Sequence, residues 1–310
     1  MDAESNLTYI TVDGHVELSK YRYVYFVIVF TAYIVVICSN STIVCLIVID
    51  KNLHEPMYIF IAALLLNSVL FSTNIYPKLL VDFLSERQII SYSACLLQFF
   101  TIYFLGCSEF LLLAVMSYDR YVSICKPLQY STIMTKTRVS IFLFLAWFSS
   151  ACHNVVPVIL SAQTKLCTFT VKGIFCNNAI NGLYCVQSRV LSIYGVVGLF
   201  NFAVLPVLFI IFTYTKILII VYRSSTEVRK KAAETRLPHL IVLICFFSLS
   251  VYDITVARVE ASLSQTVRLV MTLQNVLYHP LINPLIYGLK MKEISKHLKR
   301  LFCPAKIISH

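Results

Sequence analysis

Glycine and proline are scarce, at 7 and 9 of 310 residues. That shortage excludes a β-barrel with glycine-rich turns and a disordered chain alike. Charge is scarce too. Asp, Glu, Lys and Arg make up 13% of the chain, against about a quarter in a soluble domain. Acids are the rarer sign, 15 against 26 Lys and Arg, for a net charge of +11. The excess is no nucleic-acid signal: the basic residues sit in short loops between apolar runs and form no patch interleaved with aromatics. There are no internal repeats, no low-complexity tracts and no helix breaks at mid-membrane depth, all of which speak against a seven-span transporter. The 7 His are scattered. No nucleophile–base pair or metal-ligating cluster stands beside them, so neither an enzyme nor a cofactor is implied.

Apolar sequence is what the chain has in abundance. It is 58% hydrophobic with mean hydropathy +0.78. Seven long runs can be counted, at 24–49, 57–80, 95–118, 139–160, 190–221, 237–257 and 268–288. Each can cross roughly 30 Å of hydrocarbon at about 1.5 Å per residue. Without water to satisfy the backbone, each must be helical. Pro77, Pro157, Pro206 and Pro284 fall inside runs and predict kinks. The expected architecture is an all-α membrane protein: a tail (1–23), a seven-helix transmembrane bundle (24–289) and a second tail with a short amphipathic helix (290–310), with membrane lipid as its solvent.

Seven spans put the termini on opposite sides. With the N-terminus outside, 17 of the 26 Lys and Arg fall on inner segments, and that asymmetry sets the expected orientation. No cleavable signal peptide is expected, because the first run follows about 20 polar residues and is too long for one. Asn6-Leu7-Thr8 is a glycosylation sequon in the expected outer tail. Asn40-Ser41-Thr42 matches the pattern inside the first span, where Asn40 is better placed to hydrogen-bond a neighbouring helix.

Of the 11 Cys, Cys38, Cys45, Cys107, Cys152 and Cys245 lie within spans and read as small packing residues. Cys95 opens the third span. Cys167, Cys176 and Cys185 follow one another at nine-residue spacing in the loop before the fifth. Four such Cys in an oxidising compartment allow three pairings, and spacing does not choose among them.

Met116-Ser117-Tyr118-Asp119-Arg120-Tyr121-Val122-Ser123-Ile124-Cys125-Lys126-Pro127-Leu128 is the most informative segment. An acid and a base stand side by side at the end of an apolar helix. Charges there belong at the membrane boundary or inside protein. Alone, the pair reads as an interfacial anchor; the alternative is an ion pair that holds a helix bundle shut.

The rest of the chain decides for the second reading. Asn40, Leu53-His54-Glu55-Pro56-Met57-Tyr58, Pro77-Lys78, the Met116–Leu128 segment, the three-Cys loop, Lys231-Ala232, Pro238-His239-Leu240 and Asn283-Pro284-Leu285-Ile286-Tyr287 together resemble the vertebrate odorant-receptor family of rhodopsin-like G-protein-coupled receptors. Pro238 before His239, Lys216-Ile217-Leu218 and the atypical second span resemble its fish branch. The resemblance implies a plasma-membrane receptor of sensory transduction, a small-molecule odorant, and a heterotrimeric G protein of the stimulatory olfactory type. A receptor of the same family serving outside smell would show the same features. It further implies the pairs Cys95–Cys176 and Cys167–Cys185. Asp119 and Arg120 form the inner lock, bordered by Tyr121 and faced by His239, with Tyr214 and Tyr287 moving toward Arg120 on activation and Asn283 and Pro284 completing the switch. The ligand site it implies is the outer half of the bundle, with Ile102, Tyr103, Gly106 and Cys107 facing Phe247, Val251, Ile254 and Arg258 on the sixth span and Leu273 and Val276 on the seventh.

Two positions depart from the pattern. Ser68, beside Asn67, stands where many rhodopsin-like receptors carry a sodium-binding Asp, and Glu109 is the nearby buried acid. It is either a protonated or hydrogen-bonded structural group or a cation site. Phe247 stands where the family has a Tyr, so a hydroxyl latch is lost. Arg258 shares a helix face with Phe247 and offers a fork suited to a carboxylate, which favours small water-soluble acids as ligands. Alternatively it pairs with Asp253 or Glu260, or reaches the outer headgroups; Asp253 would serve an amine if it faced the cavity.

Overall fold

The computed structural model describes residues 8–15, 18–186, 188–222, 244, 248 and 265–302. The sixth span, with His239, Phe247, Val251, Ile254 and Arg258, lies outside the described residues, as does Asn6.

Helices occupy the other six runs and overshoot them. The first is Leu18–Ile49, the second Pro56–Leu84, the third Tyr92–Cys125, the fourth Lys136–Ala162 and the fifth Arg189–Tyr222; the seventh-span helix is Gln265–Lys290. Hydrocarbon thickness sets only the apolar part of each. Polar caps then carry the helices on: Ser91, Thr135 and Ser188 accept the backbone N–H of Ala94, Arg138 and Leu191, and Pro56 starts the second helix at a position where no N–H is needed. Among the described residues the first five helices are long and apolar enough to cross a membrane. The seventh-span helix is long enough but more polar; it carries Asn275, His279 and Asn283 within its length.

The second and third helices form the centre. They bury 56% and 50% of their most apolar windows, against 17–22% for the first, fourth and fifth. The outer helices therefore turn apolar side chains such as Val27, Phe144 and Ile211 outward, as a lipid solvent requires. Cys38, Cys45 and Cys152 lie on that outward surface and not in the core. A thiol is apolar enough to face lipid and needs no partner there. Asn40 does bridge helices: its Nδ2 donates to the carbonyl of Pro280, 3.0 Å away. In the fifth helix the turn before Pro206 widens to a π-helix at Phe200–Val204, a usual accommodation where Pro removes a ladder N–H. Past the seventh-span helix, Lys292–Phe302 forms a terminal helix that buries Ile294 and exposes Glu293 and Lys296.

One element was not expected. Tyr9–Val12 (β1) sits between Ile89–Ser91 (β2), antiparallel, and Thr170–Val171 (β3), parallel. Ile10 and Val12 point into a cluster with Cys95, Cys176, Ile180 and Leu183. The alternation Tyr9-Ile10-Thr11-Val12 was the available signal. Just beyond β1, Gly14 crosses Gly173 so closely that a Cβ on Gly14 would lie 2.3 Å from the Gly173 carbonyl carbon. Neither backbone can yield. Burial, with Lys78 adding to it, pushes the next residue, His15, down to a pKa of about 4, so it docks neutral. We expect Gly14→Val to force β1 off the sheet, a cost on the order of 1–3 kcal/mol. Surface expression by flow cytometry should fall several-fold, and expression equal to wild type would show the crossing to be unimportant.

Candidate functional site

Two ends of the bundle carry the sequence-predicted residues. At the first, the third helix ends in the charged pair. Arg120 Nη2 lies 2.6 Å from Asp119 Oδ2 and Nε lies 3.0 Å from the same oxygen. Asp119 is fully buried and the Arg120 side chain is 16% exposed. The other carboxylate oxygen accepts the Tyr130 hydroxyl at 2.8 Å. Tyr130 reaches it because Pro127–Gln129 turns the chain back after Lys126 and starts a one-turn helix, Tyr130–Ile133. Burial and the adjacent Asp119 charge push the Tyr130 phenol above its ordinary pKa, so it stays a donor. The ion pair thus has a third partner, Tyr130, that the sequence did not point to. Tyr121 packs against the neighbouring core. Tyr214 and Tyr287 are buried in the same cluster, and the Tyr287 hydroxyl has no hydrogen-bond partner among the described residues. His239 lies outside them.

Between the two ends is a buried polar knot. Asn283 Nδ2 donates to Glu109 Oε1 at 3.1 Å and to Ser68 Oγ at 3.1 Å. Asn67 Nδ2 donates to the Leu105 carbonyl at 2.8 Å, and Ser108 Oγ donates to Asn67 Oδ1 at 3.0 Å. Pro284 is buried beside it on the seventh-span helix. Glu109 is therefore a hydrogen-bonded acid that ties the third helix to the seventh-span helix. Among the described residues no group of three or more His, Cys, Asp or Glu is arranged to hold a metal.

The other end carries the disulfides. Cys95 is bonded to Cys176 across 81 residues, and Cys167 to Cys185 across 18. The first bond pins the loop to the head of the third helix. Gln98 reinforces it one turn on: its Oε1 accepts the Cys176 N–H at 2.9 Å, and its Nε2 donates to the Asn74 carbonyl at 3.1 Å. Tyr103 accepts the Asn178 N–H at 3.1 Å through its hydroxyl. Neither Gln98 nor Asn74 stood out in the sequence.

The residues predicted to line a ligand cavity divide. Gly106 is half-buried, and among the described residues no atom beyond its own helix backbone and chain neighbours lies within 4 Å of a Cβ built on it. Cys107 and Tyr103 are half-buried. Val276 is buried, and its carbonyl accepts the Tyr76 hydroxyl at 3.3 Å. It packs in one apolar cluster with Ile102 and Leu273 at its margin. These three are packed on their neighbours.

The helix bundle has the fold of rhodopsin. Squid rhodopsin superposes with a TM-score of 0.75 at 18% identity, covering 93% of this chain and 82% of that one. The olfactory receptor family model matches residues 29–305. Human olfactory receptor 13C2 is 31% identical over 298 residues, covering 94% of this chain and 92% of its own; mouse olfactory receptor 4M1 is 30% identical over 312 residues, covering 98% of each. The chain belongs to the olfactory receptor family, a class of multi-pass plasma-membrane receptors and not of enzymes.

Proposed function

We propose that this receptor binds a small, water-soluble odorant at the disulfide end, with that end outside the cell, and activates a stimulatory G protein of the olfactory type at the Arg120 end. The closed Asp119–Arg120–Tyr130 lock carries the reading. It holds the Arg120 guanidinium at the end of the third helix, and ligand that favours an open packing would release it by population shift. The Tyr287 hydroxyl, buried and without a hydrogen-bond partner among the described residues, is compatible with a second packing in which it turns toward Arg120. The inner-segment excess of Lys and Arg supports the orientation. The ligand class proposed is a small carboxylic acid met by Arg258, within the fish branch of the family.

The test is a cAMP assay in cells with matched acids, esters, alcohols and amines, on wild type and Arg258→Ala. Loss of acid responses alone supports the acid reading. An amine preference removed by Asp253→Asn replaces it, and responses untouched by either change leave both charges structural.

A further inference from the structure

β1 is held over the disulfide end by its backbone. The N–H groups of Thr11, Val12 and Asp13 donate to the carbonyls of Phe169, Gln88 and Val171 at 2.8, 2.8 and 2.9 Å. Docking carries Ile10 and Val12, 0% and 3% exposed, into the cluster around Cys95 and Cys176. After Gly14 crosses Gly173, the next side chain is His15. Its ring stands edge-on to Phe83 at 5.7 Å, and Phe83 is itself 1% exposed near the end of the second helix. Both ring nitrogens are shut off from water.

An imidazole in that place resists a proton. A charge there loses its water, and the second helix sets Lys78 against it. Lys78 is already paired with the buried Asp82 on the same helix. The first helix brings the Tyr25 ring, stacked on Phe83, and the loop brings the Gly173 backbone under Gly14. Within its own segment the Val12 backbone and the exposed Asp13 favour the charged ring, but burial and Lys78 outweigh them. We infer that His15 is an acid-operated latch on the N-terminal strand: it docks with a neutral ring and is released when the ring gains a proton, so that acid uncovers Ile10, Val12 and the cluster they close. With the disulfide end outside the cell, as proposed above, the latch reads the pH of the medium.

The direction follows from linkage. A free histidine titrates at 6.5, whereas burial, with Lys78 adding to it, holds docked His15 down to about 4. Docking is therefore at full strength above 6.5 and weakens as pH falls through 6.5 toward 4. At pH 5 the free ring is charged and the docked ring is still mostly neutral, so the docking constant should be about twentyfold lower than at pH 7.

Hydrogen–deuterium exchange of the purified full-length receptor tests this without any odorant. Protection of the Thr11, Val12 and Asp13 amides, corrected for the pH dependence of exchange in free peptides, should fall about twentyfold between pH 7 and pH 5 in wild type. His15→Phe keeps a ring against Phe83 and cannot take a proton, so its protection should change less than about twofold over the same range. His15→Lys is charged at both pH values and should already be unprotected at pH 7. Unchanged protection in wild type overturns the latch, and so does a well-protected His15→Lys at pH 7. Equal loss in wild type and His15→Phe overturns it too, because Asp13, Asp82 or the fold as a whole would then be the group responding to acid. If His15→Phe does not purify, His15→Gln, smaller and equally unable to take a proton, replaces it with the same outcomes.

Discussion

Arg120→Ala should abolish G-protein activation at normal surface expression, and Asp119→Asn should raise signalling without ligand. The geometry orders a third variant between them and wild type. Asp119 accepts two contacts from Arg120 and one from Tyr130. A hydrogen bond to a charged group contributes about 1.5–3 kcal/mol and a typical one about 1 kcal/mol. Asn at position 119 removes the charge that holds Arg120, so the closed packing should lose about 2 kcal/mol and the active population should rise roughly tenfold or more. Tyr130→Phe removes one donor and keeps the ion pair, so a rise of about three- to fivefold is expected. Basal cAMP normalised to surface receptor should therefore rank Asp119→Asn above Tyr130→Phe, and Tyr130→Phe above wild type. An Arg120→Ala receptor that reaches the surface and signals normally would rule the lock out as the coupling element.

Tyr130 also marks the limit of what the sequence made legible. Asp119 and Arg120 are neighbours in the chain, so their pairing needs no fold to be seen. Tyr130 is 11 residues on and meets Asp119 only because Pro127–Gln129 reverses the chain. Glu109 shows the same limit more strongly. Its burial follows from its place in an apolar run, but its partner Asn283 is 174 residues away, and no local pattern separates a hydrogen-bonded acid from a cation site. The helices were legible because the bilayer forces about 20 apolar residues into one conformation. Their ends were not, since Ser91, Thr135 and Ser188 extend them past the apolar run. The small sheet escaped notice for a related reason. Only Tyr9–Val12 alternates; the other two strands, three and two residues long, are too short for a periodic signal, and the pairing is decided by loops that meet only in the fold.

The third helix runs between the two ends. It begins at the Cys95 disulfide, carries Gln98, Tyr103 and Gly106 within its first half, holds Glu109 at its centre and ends at the lock. At about 1.5 Å per residue its 34 residues reach about 51 Å, well beyond the hydrocarbon core. A rigid element of that length, knotted to the second and seventh-span helices at Ser68, Asn67 and Asn283, can convey a small displacement at the Gly106 face to Arg120. Asn283 joins all three helices, because it bonds both Glu109 and Ser68 with one amide.

Loss of the Cys95–Cys176 bond should be the most damaging change at the other end. By the chain-entropy account, closing an 81-residue separation stabilises by up to about 4.5 kcal/mol and an 18-residue one by about 3 kcal/mol. Both are upper values, because helices already inserted in a membrane retain order when the bond is cut. The first bond also positions the Gln98 contact and the buried Phe175, so its loss disperses more than a cross-link. Cys95→Ser and Cys176→Ser should each reduce surface receptor about tenfold or more, Cys167→Ser and Cys185→Ser several-fold. Within each pair the double variant should be no worse than either single, since one bond is lost in all three. Cys152→Ser should do far less, because that thiol faces outward unpaired. Thiol labelling with mass mapping checks the pairing itself: labelled, free thiols at Cys95 and Cys176 in surface receptor would overturn it. So would a double variant markedly worse than its singles, because each cysteine would then be acting on its own.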